Sequence, residues 1–362
     1  MVQNSKRRRR KKMTIINLVM VGLLLLAAGL LYIWKGYTDQ KSVAPTPKTA
    51  KAEVLVWIWK IDEAKEAAGG SLESIVKKAA DNGVAGLIVC SIRGDEWFND
   101  RQEVEKLGTL ADNAGLVYFT YGRFMAGDVV EEETRAIEAI TDNPDGFIFD
   151  LETEYKTPKG ANKAEALVSN VRRWCESNSP DTLLSYTSFG LPSLHKAFPW
   201  EKMKDFEFCM PQWYATSMQK TMNWTQADTL KRIKKEFRDT LMPYAPVIQA
   251  YGEDKAEVYV SADELSAMLK FSNEMEFTTF ISIFRLELMD DEHWKVIRKY
   301  TGAKRQDKKA RDRLDSRSLF YSRSILFYFI PKNFIAFLVV SCSTSAREMP
   351  FISAILLAVS TT

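Results

Sequence analysis

Between residues 54 and 301 the chain alternates two hydrophobic rhythms. One is a short apolar run rich in β-branched and aromatic residues, the pattern of a strand; the other sets apolar residues three and four apart, the pattern of one helix face. The strand rhythm occupies residues 54–60, 84–90, 116–121, 146–151, 183–187, 206–211, 245–250 and 278–284. The helical rhythm fills 71–81, 101–114, 130–141, 162–176, 225–238, 261–273 and 290–300. Ser71 is placed to cap the first of these, and Ser261-Ala-Asp-Glu264 reads as a capping box. Only the fifth crossover, 191–204, lacks a helical pattern; aromatic and with two prolines, it predicts an irregular loop over the end of the sheet.

Eight strands joined by crossovers, with no hairpin signal between them, predict an α/β chain folded as a (β/α)₈ TIM barrel over residues 54–302. About 250 residues suit one such domain. The rival, an open doubly wound sheet, calls for a glycine-rich phosphate loop after the first strand, and the run from Lys60 to Gly70 has the wrong order for one.

The ends follow other rules. Residues 6–12 are Lys-Arg-Arg-Arg-Arg-Lys-Lys, and 14–34 is an apolar run with Asn17 as its only strongly polar side chain. A helix of that length rises about 30 Å, enough to cross a bilayer. The run exceeds a usual signal-peptide core of about 7–15 residues, and no small-x-small site precedes Lys35, so an anchor is favoured over a cleaved signal. The expectation is a basic cytoplasmic tail (1–13), a transmembrane anchor (14–34), a flexible linker (35–53), and a barrel outside the cell membrane. Lipid is then one partner, and the basic run sets topology rather than binding nucleic acid. Residues 303–362 turn basic, then apolar with polar interruptions, and are expected to lie outside the barrel, with a second crossing or an outside tail both open.

Charge changes the picture once the ends are set apart. The formal net charge is +3, yet residues 13–302 carry 33 Lys and Arg against 43 Asp and Glu. An acidic body disfavours a nucleic-acid groove and suits a neutral or cationic ligand. Four cysteines with no close pair read as thiols rather than a disulfide framework. Two histidines, His195 and His293, lie near no second ligand motif, so neither a metal nor another cofactor is expected.

A barrel of this kind works at the C-terminal ends of its strands. Those ends carry Trp57, Trp59 and Lys60; Ser91 and Arg93; Tyr121 and Arg123; Asp150, Glu152 and Glu154; Tyr186, Ser188 and Phe189; Gln212, Trp213 and Tyr214; Gln249 and Tyr251; Arg285 and Glu287. Aromatic rings, amides and paired acids suit a sugar, whose apolar faces stack while its hydroxyls need partners. In a continuing strand Asp150, Glu152 and Glu154 would share one face. Crowded carboxyls repel, which raises the pKa of at least one and prepares it to give a proton. The bland alternatives are that Trp57 and Trp59 pack against helices, and that Arg93, Arg123 and Arg285 pair with the acids in a network holding barrel loops.

The fourth strand, Asp145-Gly-Phe-Ile-Phe-Asp150-Leu-Glu152, resembles the Asp-Gly-x-Asp-x-Asp-x-Glu signature of family 18 glycoside hydrolases. The resemblance implies Glu152 as proton donor and Asp150 as the neighbour that helps a substrate N-acetyl group; Ile148 departs from the pattern, replacing its middle Asp. Asp150-Leu-Glu152 is also similar to the strand-four Asp-x-Glu of family 25 lysozymes, and Met210-Pro-Gln-Trp-Tyr214 to a substrate-contacting element of barrel glycosidases. From Val-Trp-Ile-Trp through Asp-x-Glu-x-Glu-Tyr, Pro-Gln-Trp-Tyr and Gln-Ala-Tyr, residues 54–290 resemble a poorly characterised group of bacterial glycoside-hydrolase-like barrels. These resemblances imply a carbohydrate polymer as partner and Glu152 and Asp150 as catalytic residues; the strand-end reading adds Glu154, Trp59, Tyr121, Tyr186, Gln212, Trp213, Tyr214, Gln249 and Tyr251 as candidate substrate contacts, with Trp97 a second candidate for stacking and, for Glu154, a place beyond the strand bound to an Arg as the alternative. A binding module without turnover, or an envelope protein that recognises another protein, stands as the alternative.

Overall fold

The computed structural model describes residues 51–303 except 143, 205, 207, 238–242, 252–259 and 276–279. The basic tail, the anchor, nearly all of the linker and the segment after 303 lie outside the described residues. Among the described residues no helix is long and apolar enough to cross a membrane.

Among the described residues nine strands form one sheet: β1 (Glu53–Ile58), β2 (Gly86–Arg93), β3 (Glu96–Trp97), β4 (Val117–Arg123), β5 (Gly146–Asp150), β6 (Leu183–Phe189), β7 (Phe208–Trp213), β8 (Val247–Gln249) and β9 (Phe280–Phe284). Leaving β3 aside, each strand lies parallel to the next and β9 pairs with β1, which closes the barrel. β3 is a difference from the sequence expectation, a short antiparallel return on the end of β2 with Arg93 opposite Glu96. Its loop is Gly94-Asp95, and Gly94 takes φ 66°, the left-handed conformation that a two-residue hairpin loop requires.

The crossovers carry α1 (Ile61–Ala68), α2 (Leu72–Asp81), α3 (Arg101–Asn113), α4 (Val129–Thr141), α5 (Pro158–Asn178), α6 (Ala215–Met222), α7 (Gln226–Phe237) and α8 (Ala262–Glu274), and α9 (Asp291–Thr301) follows the last strand. Both expected caps form: Ser71 accepts from Ser74 N, and Ser261 and Glu264 bond reciprocally. The fifth crossover holds only two 3₁₀ turns, Pro192–Leu194 and Trp200–Lys202, as its pattern predicts. Helices α1 and α6, eight residues each, were not signalled because so short a helix shows barely two turns of periodicity.

Strand alternation divides the apolar residues between two layers. Val54, Val56 and Ile58 face outward and join a cluster completed by Ile75, Ala79 and Ile297 of the helices. Trp57 faces the other way, as do Phe119, Phe208 and Phe280, whose rings meet across the barrel at 6.2 Å (Phe119 to Phe280) and 5.5 Å (Phe208 to Phe280). These strands are not neighbours, so the contacts pass through a side-chain-filled interior.

Gly146 opens β5 because nothing larger fits: an added Cβ would lie 2.2 Å from the Phe119 ring and 2.8 Å from the Leu183 carbonyl oxygen. Gly146→Ala is expected to lower unfolding free energy by about 1–3 kcal/mol through forced displacement of Phe119. Urea denaturation measures it, and an unchanged midpoint would contradict this packing.

Candidate functional site

β5 ends at Asp150, and the chain then leaves the sheet. Glu152 takes φ −130°, ψ −133°, and Thr153–Lys156 coil into a 3₁₀ turn. The three acids therefore do not share a strand face, a correction to the sequence reading. They converge by another route, through Arg123 at the end of β4, which stands opposite Asp150 in the parallel register. Its Nε lies 3.7 Å from Asp150 Oδ2, and one terminal nitrogen lies 3.2 Å from Glu152 Oε2 and 3.0 Å from Glu154. The other terminal nitrogen donates to the Phe124 carbonyl at 2.6 Å. A guanidinium offers five donors in a rigid fork, so one side chain can serve several oxygens.

The electrostatics follow from crowding and burial. Asp150 is 8% exposed, and burial first, then the neighbouring Glu152, hold its carboxyl well above the ordinary Asp range despite Arg123. Burial works against the Arg123 charge, but the three acids outweigh it and raise its pKa. Gln212 Nε2 donates to Glu152 Oε1 at 3.0 Å, so both oxygens of Glu152 are held, one by an amide and one by a guanidinium.

Beside the acids runs an arc of aromatic rings. Trp57 meets Tyr121 edge-on at 4.7 Å, Tyr121 lies 6.3 Å from Trp59, and Trp59 lies 4.4 Å from Phe98. On the other side Trp57 meets Phe284 at 5.9 Å, and Phe284 meets Tyr251 at 5.6 Å and Tyr214 at 6.2 Å. Trp57 and Trp59 thus line the barrel rather than packing against helices. Asn99 fixes this rim, donating to the Trp59 and Cys90 carbonyls at 2.9 and 2.7 Å while accepting from Ile61 N. Gln249 is buried, accepting from the Ser217 hydroxyl at 2.9 Å and donating to the Tyr251 carbonyl at 3.1 Å.

Of the expected site residues, the structure brings Asp150, Glu152, Glu154 and Gln212 together at Arg123, and joins Trp59, Tyr121, Tyr214 and Tyr251 through the aromatic arc. Two belong elsewhere. Trp213 is fully buried against Phe237, Tyr244 and Phe271, because β7 runs through residue 213 and its alternation turns Gln212 inward and Trp213 outward. Tyr186 faces the same outer layer, 5.1 Å from Phe206. Trp97, on the small hairpin, has Arg101 over its ring at 5.1 Å. Residues missed by sequence reasoning are Asn99, Phe98 and Phe284; only Phe284, an aromatic ending an apolar run, carried a signal.

No protein-family model matches the chain, and no curated relative does. Among solved structures it is similar to the family 18 chitinase ChiB of Flavobacterium johnsoniae, with 12% identity over 70% of this chain and 94% of that one at a TM-score of 0.50. It is also similar to the chitinase ICChI of Ipomoea carnea (11% identity, 68% and 99% covered, TM-score 0.49) and to a family 113 β-1,4-mannanase (13%, 70% and 98%, 0.48). At such identities the likeness is one of fold. It shows a barrel of the kind glycoside hydrolases use, and the chemistry has to be argued from the residues.

A carboxyl whose folded pKa lies above its unfolded one contributes stability at low pH that is lost as pH rises through the folded value. Asp150 is such a group. Asp150→Asn, which cannot ionise, is therefore expected to gain stability relative to the parent chain as pH rises from about 4 to about 8. Urea titrations across that range measure it, and a pH-independent difference would contradict the assignment.

Proposed function

We propose that this chain is a membrane-anchored, glycoside-hydrolase-like protein acting on an extracytoplasmic amino-sugar polymer such as peptidoglycan or a chitin-like glycan. What supports the reading above all is the meeting of Asp150 and Glu152 at the barrel mouth, with Gln212 on Glu152 and aromatic rings alongside. The barrel shared with a chitinase agrees with it but does not carry it.

In this reading Glu152 protonates the leaving glycosidic oxygen. Both its oxygens accept hydrogen bonds, so holding a proton for transfer requires Gln212 or Arg123 to release one of them. Asp150, largely shielded from water, stabilises positive charge developing on the sugar or orients an N-acetyl group. Trp59, Tyr121, Tyr214 and Tyr251 offer ring faces and hydroxyls to the polymer. Glu154 spends both oxygens on Arg123, which makes it an orienting group for that guanidinium rather than a direct contact.

One observation favours a second reading, a carbohydrate-binding protein without turnover. Ile148 lies fully buried where the family 18 pattern sets an acid, so Asp150 has no carboxyl behind it on β5. Glu152→Gln separates the two. Hydrolysis predicts that release of soluble fragments from peptidoglycan or chitin falls about 10²–10⁴-fold in the variant with thermal unfolding unchanged. Glycan binding without release by either protein supports the second reading; equal release by both would remove Glu152 from the mechanism.

A further inference from the structure

Four polar atoms are buried in the barrel mouth and make no ordinary hydrogen bond among the described residues: Trp57 Nε1, Glu287 Oε2, Tyr121 Oη, which has the weakly bonding Cys90 thiol beside it, and Asp150 Oδ1, whose carboxyl has that of Glu152 beside it. They share one neighbourhood. Trp57 touches Tyr121, and Tyr121 and Cys90 each lie within electrostatic reach of both Asp150 and Glu287. A buried polar group left unpaired costs about 1–3 kcal/mol, a cost that a polar occupant reaching these atoms would relieve.

Glu287 is the least expected member. It follows β9 in a 3₁₀ turn, its side chain is 0% exposed, and Oε1 accepts from Trp59 N at 3.0 Å, Lys60 N at 3.2 Å and Arg285 Nε at 2.9 Å. Three donors on one oxygen fix the carboxyl, leaving Oε2 for something else. Arg285 is shared, reaching Glu63 at 2.9 Å, and Lys60 also pairs with Glu63. Across the mouth, among the described residues, Arg123 is the one cation paired with Asp150, Glu152 and Glu154. Among these residues five acids thus face three bases, and a further cation narrows the gap.

The unpaired atoms say what kind of cation. Two carboxyl oxygens accept, the indole donates, and the phenol does either. A protonated amine supplies several donors and a charge, and a hydroxyl oxygen beside it accepts from Trp57 or Tyr121; an N-acetylated amine brings one N–H, no charge and more bulk. The geometry points to a specificity site in which Asp150 and Glu287 together receive the free, protonated amino group of a de-N-acetylated amino sugar. This rests on the glycan reading above and narrows it, giving Asp150 a charge-pairing role at that unit. Burial pushes both carboxyls up, and a cation alongside would bring them down.

The test is calorimetric binding of the full-length protein, in detergent at about pH 6 where the amine is charged, to β-1,4-linked hexamers of glucosamine, N-acetylglucosamine and glucose. About 0.5 M salt screens long-range attraction to the acidic body but leaves a buried pair largely intact. The glucosamine hexamer is expected to bind at least about tenfold more tightly than the other two. Glu287→Gln is expected to erase most of that advantage. An N-acetylated or neutral hexamer binding as tightly overturns the inference and leaves the glycan reading standing; a full amine advantage in a folded Glu287→Gln also overturns it. If no hexamer binds, the glycan reading itself fails. The ranking in the unsubstituted chain needs no variant, so the inference stays testable should Glu287→Gln not fold.

Discussion

Three carboxyl groups within reach of one another repel unless a cation divides their charge, and at the mouth of this barrel that cation is Arg123. Its place in β4, opposite Asp150 in the parallel register, sets its Nε near that acid, and its far end collects Glu152 and Glu154 from the turn beyond β5. Beyond the sheet that guanidinium holds Glu152 jointly with Gln212 and pairs with Glu154, while backbone bonds from Leu151 to Thr187 and from Tyr155 to Glu152 also fix the segment. A Lys there would supply a point charge without the fork that reaches three partners.

The barrel was legible because its signal repeats. Eight apolar runs and their crossovers each restate the same unit, so errors of up to four residues at the boundaries leave the architecture unchanged. Even the fifth crossover could be read as irregular, since its two prolines and missing periodicity forbid a long helix. The hairpin at Gly94 was missed although Gly-Asp is a turn signal, because the strand was expected to stop at 90 and continues to Arg93 past an irregularity after Cys90.

The site was less legible, for a physical reason: which face a residue occupies depends on where its strand ends. β7 extends to Trp213, two residues beyond the expected end, and that places Trp213 among helices with Gln212 inside. β5 ends at Asp150, so alternation does not govern Glu152 and Glu154 at all. That the acids meet, and that Arg123 is one of three arginines able to pair with them, was readable; that Arg123 gathers all three required the fold. Glu287 shows the same limit, because its burial depends on backbone N–H groups of residues 59 and 60, more than 220 positions away in the chain.

The proposed function places a glycan on the acids around Arg123. A crystal structure of the Glu152→Gln protein with a β-linked amino-sugar oligomer tests it most directly. The expected result is a sugar ring against the Trp59–Tyr121 rings, a glycosidic oxygen within hydrogen-bond distance of the residue 152 amide, and Asp150 beneath the ring. An oligomer bound elsewhere on the barrel, with Arg123 still holding the acids and the mouth filled only by water, would contradict it.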